Sequence, residues 1–308
     1  MMKTAFTHAA STAVLVLGLA FAAEAPALAQ SSAAPAQTVA DVSQAHKVVA
    51  IGGSVTEIIY ALGLEDRLVA RDSTSLYPQQ ALALPDVGYI RALSPEGVLS
   101  TGMDAIVALE GSGPPETMTV LAEAGVPIVL VPEAYSAQGI LDKIEVVGQA
   151  MGAQDKADVL IEQLKQELAA AEAEAAARPG DTKVLFVLSL QGGNVLASGE
   201  GTAADGVLKM AHLTNAVSGF SGYKPLSNEA VTEAAPDVIL MMSGAGDHSA
   251  RKDTVLTHPA LGATPAGKNE RIIAMNGLYL LGFGPRTASA VTELSAEVSE
   301  LVGAGSAK

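Results

Sequence analysis

The chain has 308 residues, roughly two domains' worth, and is 49% hydrophobic but only 4% aromatic, with no Trp. Its 33 acidic and 18 basic residues give a net charge of −15, which repels phosphate backbones and anionic lipid heads and argues against nucleic-acid or membrane-surface partners. The absence of cysteine excludes disulfides, thiolate metal sites, cysteine nucleophiles and a lipid-modified N-terminal cysteine.

The N-terminus reads as an export address. Lys3 supplies a positive start, residues 11–23 form a short apolar run, and Ala27-Leu28-Ala29 is a small-x-small cleavage site. The run is too short to span a bilayer comfortably. Cleavage after Ala29 is expected, releasing a soluble protein into the periplasm with its net charge unchanged. Residues 30–45, rich in Ser, Ala and Gln, read as a flexible lead-in.

Residues 46–135 carry an α/β pattern. Val48–Ile51 is a buried strand followed by Gly52-Gly53, and Ser54-Val55-Thr56-Glu57 fits a capping box that opens a helix. Leu68–Ala70 is a short strand, and residues 71–92 have no sustained period and read as a long loop. Ser94-Pro95-Glu96 opens a short helix, with Ser as N-cap and Pro at the first position. Strands at 105–109 and 126–131 flank a helix at 116–124. Strands alternating with helices predict a parallel sheet.

Residues 137–177, within an interlobe segment of 136–180, are nearly free of helix breakers. They predict a helix to about Met151, a break at Gly152 and a long helix to about Ala177, stopped by Arg178-Pro179-Gly180. A second α/β series fills 181–308, with strands at 184–188, 238–242 and 271–274, a helix at 203–211 and a closing helix at 286–301. The fold class is therefore α/β: two Rossmann-like lobes joined by a long rigid helix.

The halves share a repeat. Leu93-Ser94-Pro95-Glu96-Gly97-Val98 matches Leu226-Ser227-Asn228-Glu229-Ala230-Val231, and Asp104-Ala105-Ile106-Val107 matches Asp237-Val238-Ile239-Leu240, every pair 133 residues apart. Two related lobes leave a cleft between them, where small ligands bind.

No phosphate-binding GxxxxGK[ST] loop and no GxSxG elbow is present. The histidines form no HxH or HExxH cluster, and those beyond the lead-in read as surface residues. Asp247, His248 and Asp253 have no recognised metal-ligand spacing. The tyrosines are more informative. Tyr89-Ile90-Arg91 and Tyr223-Lys224 occupy corresponding loops before Glu96 and Glu229. A phenolate suits ferric iron, and a nearby guanidinium stabilises it or pairs with a carboxylate. The plainer reading is a packed loop tyrosine. Tyr77-Pro78 offers a second phenol, with a turn as its plain reading.

Four stretches carry a family resemblance: IGGSVTEIIYALG (51–63), VARDSTSLYP (69–78), LPDVGYIRALSPEGVLS (84–100) and LLGFGPRT (280–287). From about Lys47 onward the chain resembles the haemin-binding periplasmic proteins of bacterial haem ABC importers, within the class III periplasmic binding proteins that also carry cobalamin and siderophores. The resemblance implies haem as the transported ligand, an inner-membrane ABC permease as partner, a monomer, and no enzymatic activity. It carries Tyr89 onto the axial haem-iron ligand and Arg91 onto its electrostatic partner or a propionate contact, with Tyr77 as the fallback ligand. Some members have a histidine after the first strand of the second lobe. This chain reads Leu188-Ser189-Leu190-Gln191-Gly192-Gly193 there, without one, and Gln191 becomes a candidate contact. Arg286, in GFGPRT, is a candidate propionate partner or simply ends a loop. Glu96 and Glu229 resemble the paired glutamates, one per lobe, that dock such receptors onto a two-fold permease; helix capping is the compatible plain role. The alternative is a siderophore or cobalamin receptor of the same architecture, and further off an exported enzyme.

Overall fold

The computed structural model describes residues 39–178, 181–190, 193–243 and 252–305. The expected signal peptide, most of the lead-in, and Gln191, Asp247 and His248 lie outside the described residues.

The first lobe runs β1 (Val48–Ile51), α1 (Gly53–Ala61), β2 (Leu68–Arg71), α2 (Pro95–Leu99), β3 (Ala105–Leu109), α3 (Pro115–Glu123) and β4 (Ile128–Val131). Its four strands pair in parallel in the order β2-β1-β3-β4. The central strands β1 and β3 bury both faces, as their continuous apolar runs require. Val48, Ala50, Ala105 and Val107 face one cluster, while Val49, Ile51, Ile106 and Ala108 face another.

Helices α4 (Ala137–Ala150) and α5 (Gln154–Ala176) link the lobes. Gly152 makes the break with a positive φ of 68°, and a Cβ there would meet Ser43. Along α5, Leu164, Leu168, Ala171 and Ala175 recur at helical spacing and are buried, while most of the rest is solvated.

The second lobe runs β5 (Lys183–Ser189), β6 (Val195–Ser198), α6 (Ala203–Met210), β7 (Thr214–Asn215), β8 (Tyr223–Leu226), α7 (Asn228–Ala234), β9 (Val238–Ser243), α8 (Lys252–Thr257), α9 (Pro259–Ala263), α10 (Pro265–Lys268), β10 (Ile272–Asn276), α11 (Gly277–Leu281) and α12 (Thr287–Gly305). The sheet order is β10-β9-β5-β6-β8, with β7 also on β5. Strands β10, β9 and β5 are parallel, and β6 and β8 add antiparallel pairs. One hydrophobic cluster runs from the first sheet through α4 and α5 to Val184, Phe186 and Leu240 of the second sheet and to Val291 and Leu294 of α12. The lobes therefore share a core.

The repeat has a structural meaning. Ser94 and Ser227 each cap the following helix, accepting the N–H of Gly97 and Ala230. The strands after them, β3 and β9, lie parallel to β1 and β5.

Three expectations change. The 54–57 segment is not a capping box: α1 begins two residues earlier than that box requires, after Gly52 at φ 107°, without a side-chain cap. Thr56 instead shares a hydrogen bond with Ser75, and Glu57 pairs with Arg286. Tyr223-Lys224 lies in β8, not in a loop, because these residues continue the sheet beyond β6. His258 is buried rather than on the surface. Its Nδ1 accepts the N–H groups of Ala260 and Leu261 and so caps α9, leaving Nε2 to donate to the Gly193 carbonyl.

Candidate ligand-binding cleft

The loop after β2 is built by two aspartates. Asp72, fully buried, accepts hydrogen bonds from the N–H groups of Gly52 and Thr74 and from the hydroxyls of Thr74 and Ser75. Asp86 takes Arg71 at 2.9 Å through one oxygen and the Gly88 N–H at 2.8 Å through the other. The loop is thus tied to the C-terminal ends of β1 and β2, where ligands of open α/β sheets bind.

Beyond Gly88 the chain turns, with the Ala92 N–H donating to the Tyr89 carbonyl at 2.7 Å. The Ile90 carbonyl accepts from Gly113, and its side chain points in towards the Cα of Gly52. Tyr89 and Arg91, flanking this anchored residue, are exposed, Tyr89 at 47%. A pinned backbone therefore presents a phenol and a guanidinium two residues apart.

Across from Arg91 stand Glu133, Tyr135 and Tyr223. The positive charge of Arg91 acts on all three and partly offsets the effect of their burial. Burial pushes the Tyr135 phenol up, with the Glu133 carboxylate adding to it. Burial likewise pushes up the Tyr223 phenol, opposed by a hydrogen bond with Thr202. Tyr223 also packs on Phe186, ring centroids 6.4 Å apart. Arg91 and the segment Glu133–Tyr135 of the first lobe are thus close enough to Tyr223 of the second for their charges to be felt.

Glu133 also belongs to a pair with no place in the sequence expectations. Lys143, with no exposed surface, pairs with Glu133 at 2.5 Å and donates to the Phe283 carbonyl at 3.2 Å. Burial pushes the Glu133 carboxyl up and the Lys143 ammonium down, each opposed by its partner. A signal existed: Lys143 falls on the stripe of Ile140, Ile144 and Val147, a buried face that tolerates a charge only when paired.

A second group forms around Arg286. Its Nε and Nη2 donate to the two Glu57 carboxylate oxygens at 2.9 and 2.6 Å. The guanidinium lies 3.6 Å from the Tyr77 ring centroid and 5.2 Å from that of Tyr279. Burial alone would lower the Arg286 pKa, but Glu57 outweighs it and holds it up. Beside this group is a cavity of about 570 Å3, lined by Glu57, Tyr60, Tyr77, Pro285 and Arg286 among others. The structure thus joins Arg286 to Tyr77. Glu96 and Glu229 sit exposed in the first turns of α2 and α7. The Glu229 carboxyl is held below its usual value by its own backbone N–H and by the Ser227 hydroxyl. Among the described residues no group of three or more His, Cys, Asp or Glu could hold a metal ion, and no helix is long and apolar enough to cross a membrane.

Two α/β lobes around a shared core define the architecture of a binding protein. The chain belongs to the periplasmic binding protein family, matching it over residues 48–277. It is similar to the periplasmic haem-binding protein BhuT, solved with two haems, at 38% identity and a TM-score of 0.79 over 83% of this chain and 98% of that one. The haem-binding protein RhuT from Roseiflexus sp. RS-1, solved without ligand, has 36% identity and a TM-score of 0.80 over 83% and 99%. A vitamin B12-binding protein of Yersinia pestis matches locally, 37% identical over 84 residues, which is 27% of this chain and 30% of that protein.

Proposed function

We propose that this protein captures haem in the periplasm and delivers it to an inner-membrane ABC importer for iron acquisition. The observation that carries this is the Tyr89–Arg91 pair, exposed together on a loop pinned by Asp86 and Gly113. Its similarity to BhuT and RhuT points the same way. The Tyr89 phenolate ligates the ferric iron, and Arg91 stabilises that phenolate or pairs with a propionate. Tyr223 closes the space from the second lobe, and Gln191 is a further candidate contact. In this reading Tyr77 and Arg286 brace the rim. No bond of the cargo is made or broken, so the protein is not an enzyme.

The loaded monomer docks through Glu96 and Glu229, whose equivalent positions on α2 and α7 suit a two-fold permease with basic pockets. In this reading the signal peptide is 1–29, the lead-in 30–45, the first lobe 46–135, the linker 136–180 and the second lobe 181–308. The test is a haemin titration of the wild type and Tyr89→Phe, followed by absorption. The wild type gains a ferric–phenolate band that the variant lacks; an unchanged band and affinity in the variant overturns the ligand assignment.

A second reading has one observation in its favour. The local match to a vitamin B12-binding protein keeps cobalamin or a ferric siderophore as the alternative cargo. Such ligands arrive fully coordinated and need no protein phenolate. Tight cyanocobalamin binding without a haemin response would establish it.

A further inference from the structure

The GFGPRT segment, between α11 and α12 of the second lobe, reaches into the first. Leu278 occupies the place that a Cβ on Gly53 would take. Gly284 lies against Ser54 at the start of α1, within ordinary contact distance for a Cβ. Four residues along α1 from Gly53, Glu57 receives both prongs of Arg286 at 2.6 and 2.9 Å. The Glu57 side chain is 5% exposed and that of Arg286 27%. Between these contacts Phe283 adopts a positive φ of 48°, fully buried, with its carbonyl held by Lys143 of α4. Small residues at 53 and 54 let the segment approach α1, and the ion pair fastens it there. Separating the lobes would break both charge-assisted hydrogen bonds of this pair.

The same helix begins at the cleft. Gly52, just before α1, lies beneath Ile90, the residue between Tyr89 and Arg91. A shift of α1 against the second lobe therefore changes the gap between Arg91 and Tyr223.

We infer that Glu57 and Arg286 form an interlobe clasp that sets the width of the cleft, and that they are specificity-determining residues which admit a flat macrocycle and exclude a thicker octahedral complex. Tyr77, stacked on Arg286, holds the guanidinium in plane for the fork. The selectivity half of this inference rests on the haem reading; the clasp does not.

The chain has no cysteine, so Val120→Cys and Glu233→Cys accept spin labels at these two exposed positions alone, one in each lobe. Distances between the labels are read in the full chain without ligand, in the otherwise unaltered protein, in Glu57→Gln and in Arg286→Lys. Arg286→Lys retains the charge and loses the fork. The unaltered protein should give one narrow distribution and each variant a second, longer one. Haemin affinity should fall about tenfold in both variants, and the preference for haemin over cyanocobalamin should shrink by at least that factor. Unchanged distributions in both variants overturn the clasp. Broadened distributions with an unchanged preference overturn its role in selectivity. If the unaltered protein binds no haemin while the variants broaden, the haem reading fails and the clasp stands.

Discussion

Asp104 and Asp237 perform the same task 133 residues apart. Each Oδ2 accepts the backbone N–H of the lysine that leads into the neighbouring strand, Lys47 at 3.1 Å and Lys183 at 2.9 Å. Each aspartate N–H returns a bond to the carbonyl of that lysine, at 2.7 and 2.8 Å. The reciprocal pair fixes β3 on β1 and β9 on β5.

Asp104→Ala and Asp237→Ala should each lower stability by about 1 kcal/mol, the net worth of an ordinary hydrogen bond, since water at these exposed sites offsets the added strength of the charge. Because the two sites sit in different sheets, their effects should add in the double variant. Urea titration followed by circular dichroism measures this, and one silent site would show that the two lysine pairs are not equivalent.

Lys143→Met should cost about 3–5 kcal/mol, because it strands the Glu133 carboxylate. Adding Glu133→Leu should recover most of that loss. Glu133 already has a folded pKa raised above 4.5 by burial, and removal of the ammonium raises it further. A carboxyl raised in the folded state contributes stability below its unfolded value and loses it as the pH climbs through the folded one. The Lys143→Met variant should therefore become more stable on acidification from neutrality towards the ordinary carboxylate range. Thermal melts across that window test it.

Arg91→Ala should weaken haemin binding roughly tenfold, about 1.4 kcal/mol, through loss of charge support at the phenolate. Arg91→Lys should recover part of this, since a point charge replaces the planar fork. Equal affinities across the three proteins would remove Arg91 from the site.

Charge reversal at Glu96 and Glu229 should abolish stimulation of the permease ATPase in reconstituted vesicles and leave haemin affinity unchanged. Each single reversal should leave partial stimulation, because complementary rim charges act mainly on association. Loss of haemin binding in the double variant would place these residues in the cleft instead.

The parallel strands were legible because continuous runs such as VVAI and AIVAL bury both faces. The helices α2 and α7 were legible from their serine caps, and the linker break from Gly152. The antiparallel addition of β6 and β8 was not. Tyr223-Lys224-Pro225-Leu226 carries a proline, which suits an edge strand but breaks a strand pattern in sequence. At the site, the Tyr-x-Arg pair stood out locally. Glu57 was hidden because its partner is 229 residues away, and its position just inside a helix start fits a capping box equally well. Lys143 and Glu133 likewise acquire meaning only once α4 packs against the second lobe.

Helix α12 follows both sheets in the chain, yet Val291 and Leu294 belong to the cluster that also holds Val48 and Val107. That cluster stays open until synthesis has passed both lobes. A partly made chain would expose an aliphatic surface along α5 and the inner faces of both sheets. The two lobes therefore complete their common core only when the last helix is in place, so loss of α12 would unfold both lobes rather than one.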